Sequence, residues 1–243
     1  MNTNLEINSF SNADALAAAV AGRWLDEVAF AGDHGLPHRV ALSGGRIAAR
    51  LFAAVTAQNR ARGVSFAPAQ FFWADERCVP PADSESNYRM AAEGLFAPLN
   101  VPAGRIHRLK GEEEPEQAVR EASAEILALA PASATGQPVL DLVLLGMGED
   151  GHVASLFPGA AAELRALPGP FLVIRNSPKP PPNRLSLSYA ALGAVRQVWV
   201  LASGAGKETA LRQSLASPEL TPLGRVIASR GKTVLFTDLP LDP

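Results

Sequence analysis

The chain has 243 residues, 47% of them apolar and 19% charged, with a formal net charge of −2. That composition supports a substantial core and excludes wholesale disorder; the near-neutral charge excludes a general nucleic-acid binder, so any anion site has to be local. One cysteine, Cys78, excludes an intramolecular disulfide. The segment from Met1 to Glu6 has neither the basic start nor the apolar core of a secretion signal, and no charge-free apolar run approaches the roughly 20 residues of a membrane span. A cytoplasmic monomer with no nucleic-acid or membrane partner is expected.

In chain order, Ser11-Asn12-Ala13-Asp14 fits a capping box in its Asp form and opens an alanine-rich helix to about Phe30. Arg39–Leu42 reads as a strand running into Ser43-Gly44-Gly45 and a helix from Arg46 to about Asn59. Gln70–Ala74 is a second strand, ending on Asp75-Glu76-Arg77; a loop then precedes a helix over Tyr88–Phe96. Ile106–Leu109 reads as a short strand, and Glu112–Ala130 as a helix, acidic at its start as the macrodipole favours. Leu142–Leu145 is an apolar run of the kind a buried parallel strand shows. Phe171–Ile174 is a further strand, Arg184–Ser188 a strand or its edge, and Gln197–Leu201 a strand followed by a helix to about Leu215. Lys232–Phe236 is expected to close the sheet. Strands alternating with helices predict one α/β domain over residues 1–243: a three-layer, mostly parallel twisted sheet with helices on both faces.

Four strands end on loops carrying chemistry: Ser43-Gly44-Gly45, Asp75-Glu76-Arg77, Gly146 to His152, and Gly204-Ala205-Gly206-Lys207. In an open α/β sheet, ligands bind at the carboxyl ends of the strands, and the coincidence of four such loops weighs more than any one. Ser43-Gly44-Gly45 can offer bare N–H groups at a helix start to a phosphate, although alone it reads more readily as a tight turn. Gly204–Lys207 resembles half a Walker loop, but Leu201 stands at the first glycine and Glu208 at the Mg²⁺-binding hydroxyl, so an ATPase is excluded. Lys207 remains a second phosphate contact or a solvated lysine. Asp75-Glu76-Arg77, taken alone, reads as an internal ion pair.

The 146–152 turn packs Glu149, Asp150 and His152 beside three glycines, an acid/base candidate. It also matches Gly-x-Gly-x-x-Gly, but its acids would face a pyrophosphate, Pro158-Gly159 cuts the following helix short, and no acid closes strand 171–174; only Arg175 there could suit a 2′-phosphate. Cys78 reads as a partly buried bystander, and His34, His38 and His107 as structural. Ser155 lies in no Gly-x-Ser-x-Gly elbow, so a serine hydrolase has no support.

Together, Ser43-Gly44-Gly45, Trp73-Ala74-Asp75-Glu76-Arg77 with Asp83 and Ser86-Asn87, the segment Gly146 to Pro158, Lys179 to Leu187, and Gly204 to Lys207 resemble the 6-phosphogluconolactonase family, in family order over nearly the whole chain. The resemblance implies a fold related to the glucosamine-6-phosphate deaminase/isomerase superfamily. It also implies an esterase that opens 6-phospho-D-glucono-1,5-lactone without metal or cofactor. In this reading His152 is the acid/base, Asp150 or Glu149 holds the imidazole, and Arg77 stabilises the oxyanion or orients substrate. Ser43, Gly44, Gly45, Arg46 and Lys207 anchor the 6-phosphate, with Asp75 and Arg184 as further substrate contacts. One departure stands out: the family usually continues its glycine pair with Ser/Thr-Thr-Pro, where this chain has Arg46-Ile47-Ala48. The deaminase/isomerase branch is the nearer rival, but it follows the histidine loop with Asn-Glu where Ser155-Leu156-Phe157-Pro158 stands here. A non-catalytic sugar-phosphate-binding protein is the other, disfavoured by the intact Asp150, His152 and Arg77.

Overall fold

The computed structural model describes residues 5–159 and 166–241; Met1–Asn4, part of the segment compared with a secretion signal, lie outside them. Six strands form one parallel sheet: β1 (Leu5–Ser9), β2 (His38–Leu42), β3 (Ala69–Trp73), β5 (Leu142–Gly146), β8 (Gln197–Ala202) and β9 (Thr233–Thr237), in the order β1-β9-β8-β5-β2-β3. Helices α1 (Ala13–Asp33), α2 (Arg46–Arg62) and α4 (Pro115–Leu129) supply much of the covering layers, and the fold is the expected three-layer α/β arrangement. The interior strands are buried on both faces, so they read as unbroken apolar runs rather than alternating ones. Trp24, Trp73, Trp199, Phe52 and Phe71 lie fully within the core, each contributing roughly 2–3 kcal/mol by leaving water.

Several elements differ from the sequence-based expectation. Asn12, not Ser11, caps α1, its side chain accepting from the N–H groups of Asp14 and Ala15. Thr233–Thr237 is not the sheet edge: β1 pairs outside it, a strand whose half-exposed pattern gives little periodic signal. Ile106–Leu109 supplies only a single bridge to Phe71. Residues 87–96 are a short α3 (Asn87–Ala91) continued by a π turn. Helices α5 (Tyr189–Ala194) and α7 (Pro222–Ala228), too short to show a period, flank α6 (Glu208–Ala216).

The largest difference is a second sheet. Strands β4 (Asp75–Arg77), β7 (Arg184–Leu187) and β6 (Phe171–Ile174) pair antiparallel in that order. It is joined to the main sheet where Ala74 accepts from Leu187 N–H while its own N–H reaches Leu42. The chain thus leaves β3 and changes sheets within one residue, which lifts Asp75 and Arg77 over the ends of β2 and β5.

His38 opens β2 inside the core, 4% exposed, and its Nε2 accepts the Trp24 indole N–H at 3.1 Å. Burial pushes its pKa from 6.5 down to about 4, against an opposing pull from Asp141. The unfolded chain therefore binds the proton more readily between these values. Stability from this group is full above pH 6.5 and is lost as pH falls towards 4, by on the order of 3 kcal/mol. Urea midpoints measured from pH 7 to pH 4.5 should fall steadily in the parent and less steeply in His38→Gln, whose amide oxygen can still accept from the indole. Identical slopes would remove His38 as the cause.

Candidate active site

The main sheet reverses its winding between β2 and β5, where a crevice opens at the carboxyl ends of the strands. A cavity of about 690 Å³ lies there, lined by Ser43, Gly44, Gly45, Arg46, Asp75, Arg77, His152, Arg184, Gly204 and Lys207 among others. All ten proposed binding and catalytic positions except Asp150 reach this one cavity.

His152 is fixed from behind. Its Nδ1 lies 2.5 Å from Asp150 Oδ1, and the same carboxylate accepts the His152 N–H at 3.2 Å. Burial alone would raise the Asp150 carboxyl, but the hydrogen bond and charge of His152 outweigh it and bring the pKa down to about 2. With Nδ1 engaged, Nε2 is the nitrogen left for the cavity. The ring also packs on Phe157, centroids 4.7 Å apart. Gly148 makes this arrangement possible: a Cβ there would sit 2.0 Å from His152 Nδ1 and Cε1 and 2.7 Å from Asp150 Oδ1. No helix follows the turn through Gly159, as a dinucleotide seat would require, and Arg175 is engaged by Glu116. Between the two acids left open by the sequence, Asp150 holds the imidazole. Glu149 instead lies near Gly206 and draws on Lys207 electrostatically.

Asp75-Glu76-Arg77 contains no ion pair, contrary to expectation. Alternation along β4 sends Glu76 inward, where it accepts from the N–H groups of Arg77, Asn87 and Tyr88 and from the Ser86 hydroxyl. It thereby satisfies the start of α3, and burial raises its pKa despite those bonds. Asp75 and Arg77 face the cavity. Asp75, 4% exposed, is held by the Ser155 hydroxyl at 2.7 Å and the Asn87 amide at 3.3 Å. Arg77 Nη1 donates to the Glu85 carbonyl at 2.6 Å. Cys78, its thiol pushed up to about 11 by burial and then by Glu76, lines no part of the cavity.

The opposite wall is cationic. Ser43 Oγ donates to the Leu144 carbonyl at 2.8 Å, tying the two central strands together. Gly44 is pressed against Asn87: a Cβ there would stand 1.8 Å from Asn87 Oδ1. Gly45 precedes the first turn of α2, with no side-chain cap on the helix. Its free N–H groups and the positive helix end therefore face the cavity. Arg46 lies on that turn, without a partner among the described residues. Lys207 approaches from the start of α6; burial first and the Arg46 charge second lower its pKa. Arg184 is more buried than the sequence suggests, its guanidinium donating to the carbonyls of Lys179, Pro180 and Pro181.

Sequence reasoning missed two supports. Asp238, beyond β9, accepts from Ser203 Oγ at 2.8 Å and from Gly204 N–H at 3.3 Å, fixing the loop that carries Lys207. Asn87 donates to Asp75 and packs against Gly44. Asn87 was visible only as part of a motif, and Asp238 gave no local signal because its partners lie 34 and 35 residues away.

Known proteins resemble this chain in sequence and in fold. A 6-phosphogluconolactonase of Mycobacterium tuberculosis is 31% identical over 244 residues, covering 98% of this chain and 96% of its own. A rice protein named probable 6-phosphogluconolactonase 3, chloroplastic, is 35% identical over 211 residues, covering 83% of this chain. The chain spans 64% of the length of that rice relative. Among solved structures, the devB protein superposes with a TM-score of 0.86 at 33% identity, covering 96% of both chains. A 6-phosphogluconolactonase of Trypanosoma brucei gives 0.83 at 28%, covering 95% of this chain and 94% of its own. Residues 11–235 match the family described as glucosamine-6-phosphate isomerases/6-phosphogluconolactonase, and the chain belongs to that family.

Proposed function

We propose that this protein hydrolyses 6-phospho-D-glucono-1,5-lactone to 6-phospho-D-gluconate, a step of the oxidative pentose phosphate pathway. The observation that carries the reading is one cavity shared by an Asp150-held imidazole and an uncapped helix start beside Arg46 and Lys207. The first is an acid/base group and the second a seat for a phosphate dianion. A phosphosugar lactone is a ligand that needs both.

His152 Nε2 takes a proton from water as the oxygen attacks the lactone carbonyl, and the Asp150 carboxylate steadies the imidazolium that forms. The carbonyl oxygen gains negative charge in the tetrahedral intermediate and is met by the Arg77 guanidinium. Collapse breaks the bond to the ring oxygen, which receives its proton from His152. Asp75, both its oxygens held by Ser155 and Asn87, forms the wall against which the sugar ring lies. Ser43, Gly44, Gly45, Arg46 and Lys207 hold the phosphate, so that binding energy remote from the reacting carbon positions it. Lys207 and Arg46 repel one another while the cavity is empty, and a dianion between them relieves that repulsion. Arg184 secures the 179–181 backbone beside the cavity. The reaction so written calls for no metal and no cofactor, and the single cysteine fits a reducing compartment such as the cytoplasm.

Aldose–ketose isomerisation needs a carboxylate free to carry a proton between neighbouring carbons. Asp75 is the acid facing the cavity, and both its oxygens are engaged by Ser155 and Asn87. That favours the lactonase over the deaminase/isomerase branch.

Acid release from fresh 6-phosphogluconolactone, followed in a pH-stat with the spontaneous rate subtracted, tests the proposal. The protein should exceed background, and His152→Ala should lower kcat by about 10²–10⁴-fold. No activity above background refutes the function; full activity in His152→Ala refutes the mechanism. Gly148→Ala should cost a comparable factor in kcat, with a thermal midpoint close to the parent's, because its Cβ displaces the imidazole rather than the core. An unchanged kcat would mean that the Asp150–His152 geometry is not needed.

A further inference from the structure

The cavity extends past the phosphate cradle. On α2 it is lined by Arg46, Ala49, Arg50 and Ala53, the i, i+3, i+4, i+7 face of the helix, with Ala13 of the first turn of α1 opposite. Seven residues of α-helix rise about 10 Å, so the groove runs two turns outward from the helix start, away from His152. A phosphosugar bound between His152 and the cradle leaves this extension empty. Its floor is alanine, which leaves room above the helix, and its one charged group is Arg50.

Arg50 is held by the Asp14 carboxylate in an exposed pair, the two side chains 53% and 78% accessible. Such pairs contribute little net stability, so a stronger anion displaces Asp14 readily. Arg46 and Arg50 are i and i+4 neighbours, with Cβ atoms about 6 Å apart, within reach of two phosphoryl groups sharing a bridging oxygen. We propose that Arg50 forms a second anion subsite, one turn beyond the phosphate cradle, that accepts the outer phosphoryl group of a diphosphate-bearing ligand. The inner phosphoryl occupies the cradle assigned under the proposed function, on which this inference rests. Such a ligand excludes the lactone and inhibits competitively. No bond is made or broken; Arg50 exchanges one carboxylate for one phosphoryl group.

Titration calorimetry with orthophosphate and with pyrophosphate reads both subsites without requiring turnover. Pyrophosphate should bind the parent protein about tenfold more tightly than orthophosphate, since it gains a second guanidinium contact. Arg50→Ala should bring the two constants to within about twofold, by weakening pyrophosphate alone. Asp14→Asn should strengthen pyrophosphate selectively, because it removes the competing carboxylate. Arg60→Ala, the same charge change on the same helix but outside the groove, controls for net charge and should leave the ratio as in the parent. A ratio unaltered by Arg50→Ala, or lowered equally by Arg60→Ala, overturns the outer subsite while the cradle stands. Failure of both anions to bind overturns the cradle as well, whereas the lactonase assay reports on catalysis separately.

Discussion

The space a side chain would take at position 148 is the space the His152 imidazole occupies. That exclusion organises the proposed catalytic end of the molecule. With only hydrogen on Gly148, the turn after β5 folds back far enough for Asp150 to reach Nδ1, and the ring is pinned between carboxylate and Phe157. A histidine restrained on one nitrogen has a defined tautomer and presents the other to a reactant. Had the turn been wider, the same residues would form a solvated cluster in which neither nitrogen is distinguished.

The position of that turn depends on the sheet. β2 and β5 are neighbours although about a hundred residues separate them, and Ser43 Oγ on the Leu144 carbonyl fastens their ends. The proposed anion-binding turn of one strand and the proposed acid/base turn of the other are therefore set side by side by backbone pairing rather than by a flexible loop. The third component, β4, arrives because the chain changes sheets at Ala74. Two backbone hydrogen bonds made by that residue thus align the Asp75 and Arg77 wall with the other two.

Most strands and the glycine turns at their ends were legible locally. Glycine turns at strand ends, an apolar run such as 142–145 and a basic residue at a helix start carry their meaning within a few residues. The parts that escaped depend on partners far along the chain. Arg184–Leu187 looks the same whether it joins a parallel sheet or pairs with Asp75–Arg77, since the choice lies in register with a segment more than a hundred residues earlier. Glu76 looked like half of an ion pair because nothing nearby announces that three backbone N–H groups converge on it. Asp238 and β1 were silent for the same reason. The alternation inside Asp75-Glu76-Arg77 was a usable signal: in a strand, the middle residue faces away from its neighbours, so one of the three acids and bases had to leave the cavity.

Under the proposed function a chain of net charge −2 holds a dianion, and the distribution of its charges accounts for that. Arg46 and Lys207 stand together on one wall, at the starts of α2 and α6, and burial first and the Arg46 charge second lower the Lys207 pKa. Three acids sit on the other side and are committed, Asp150 to the imidazole, Asp75 to Ser155 and Asn87, and Glu76 to the backbone of α3, while Glu149 lies beside Lys207. The proposed phosphate, entering between Arg46 and Lys207, competes with Glu149 for the lysine. In the proposed reaction the lactone carbonyl, neutral until attacked, reaches the acidic side without repulsion, and the charge it develops falls towards Arg77. On the proposed function, the cavity separates the charge carried by the substrate throughout from the charge that appears only in the transition state. That separation directs binding energy to the step that needs it.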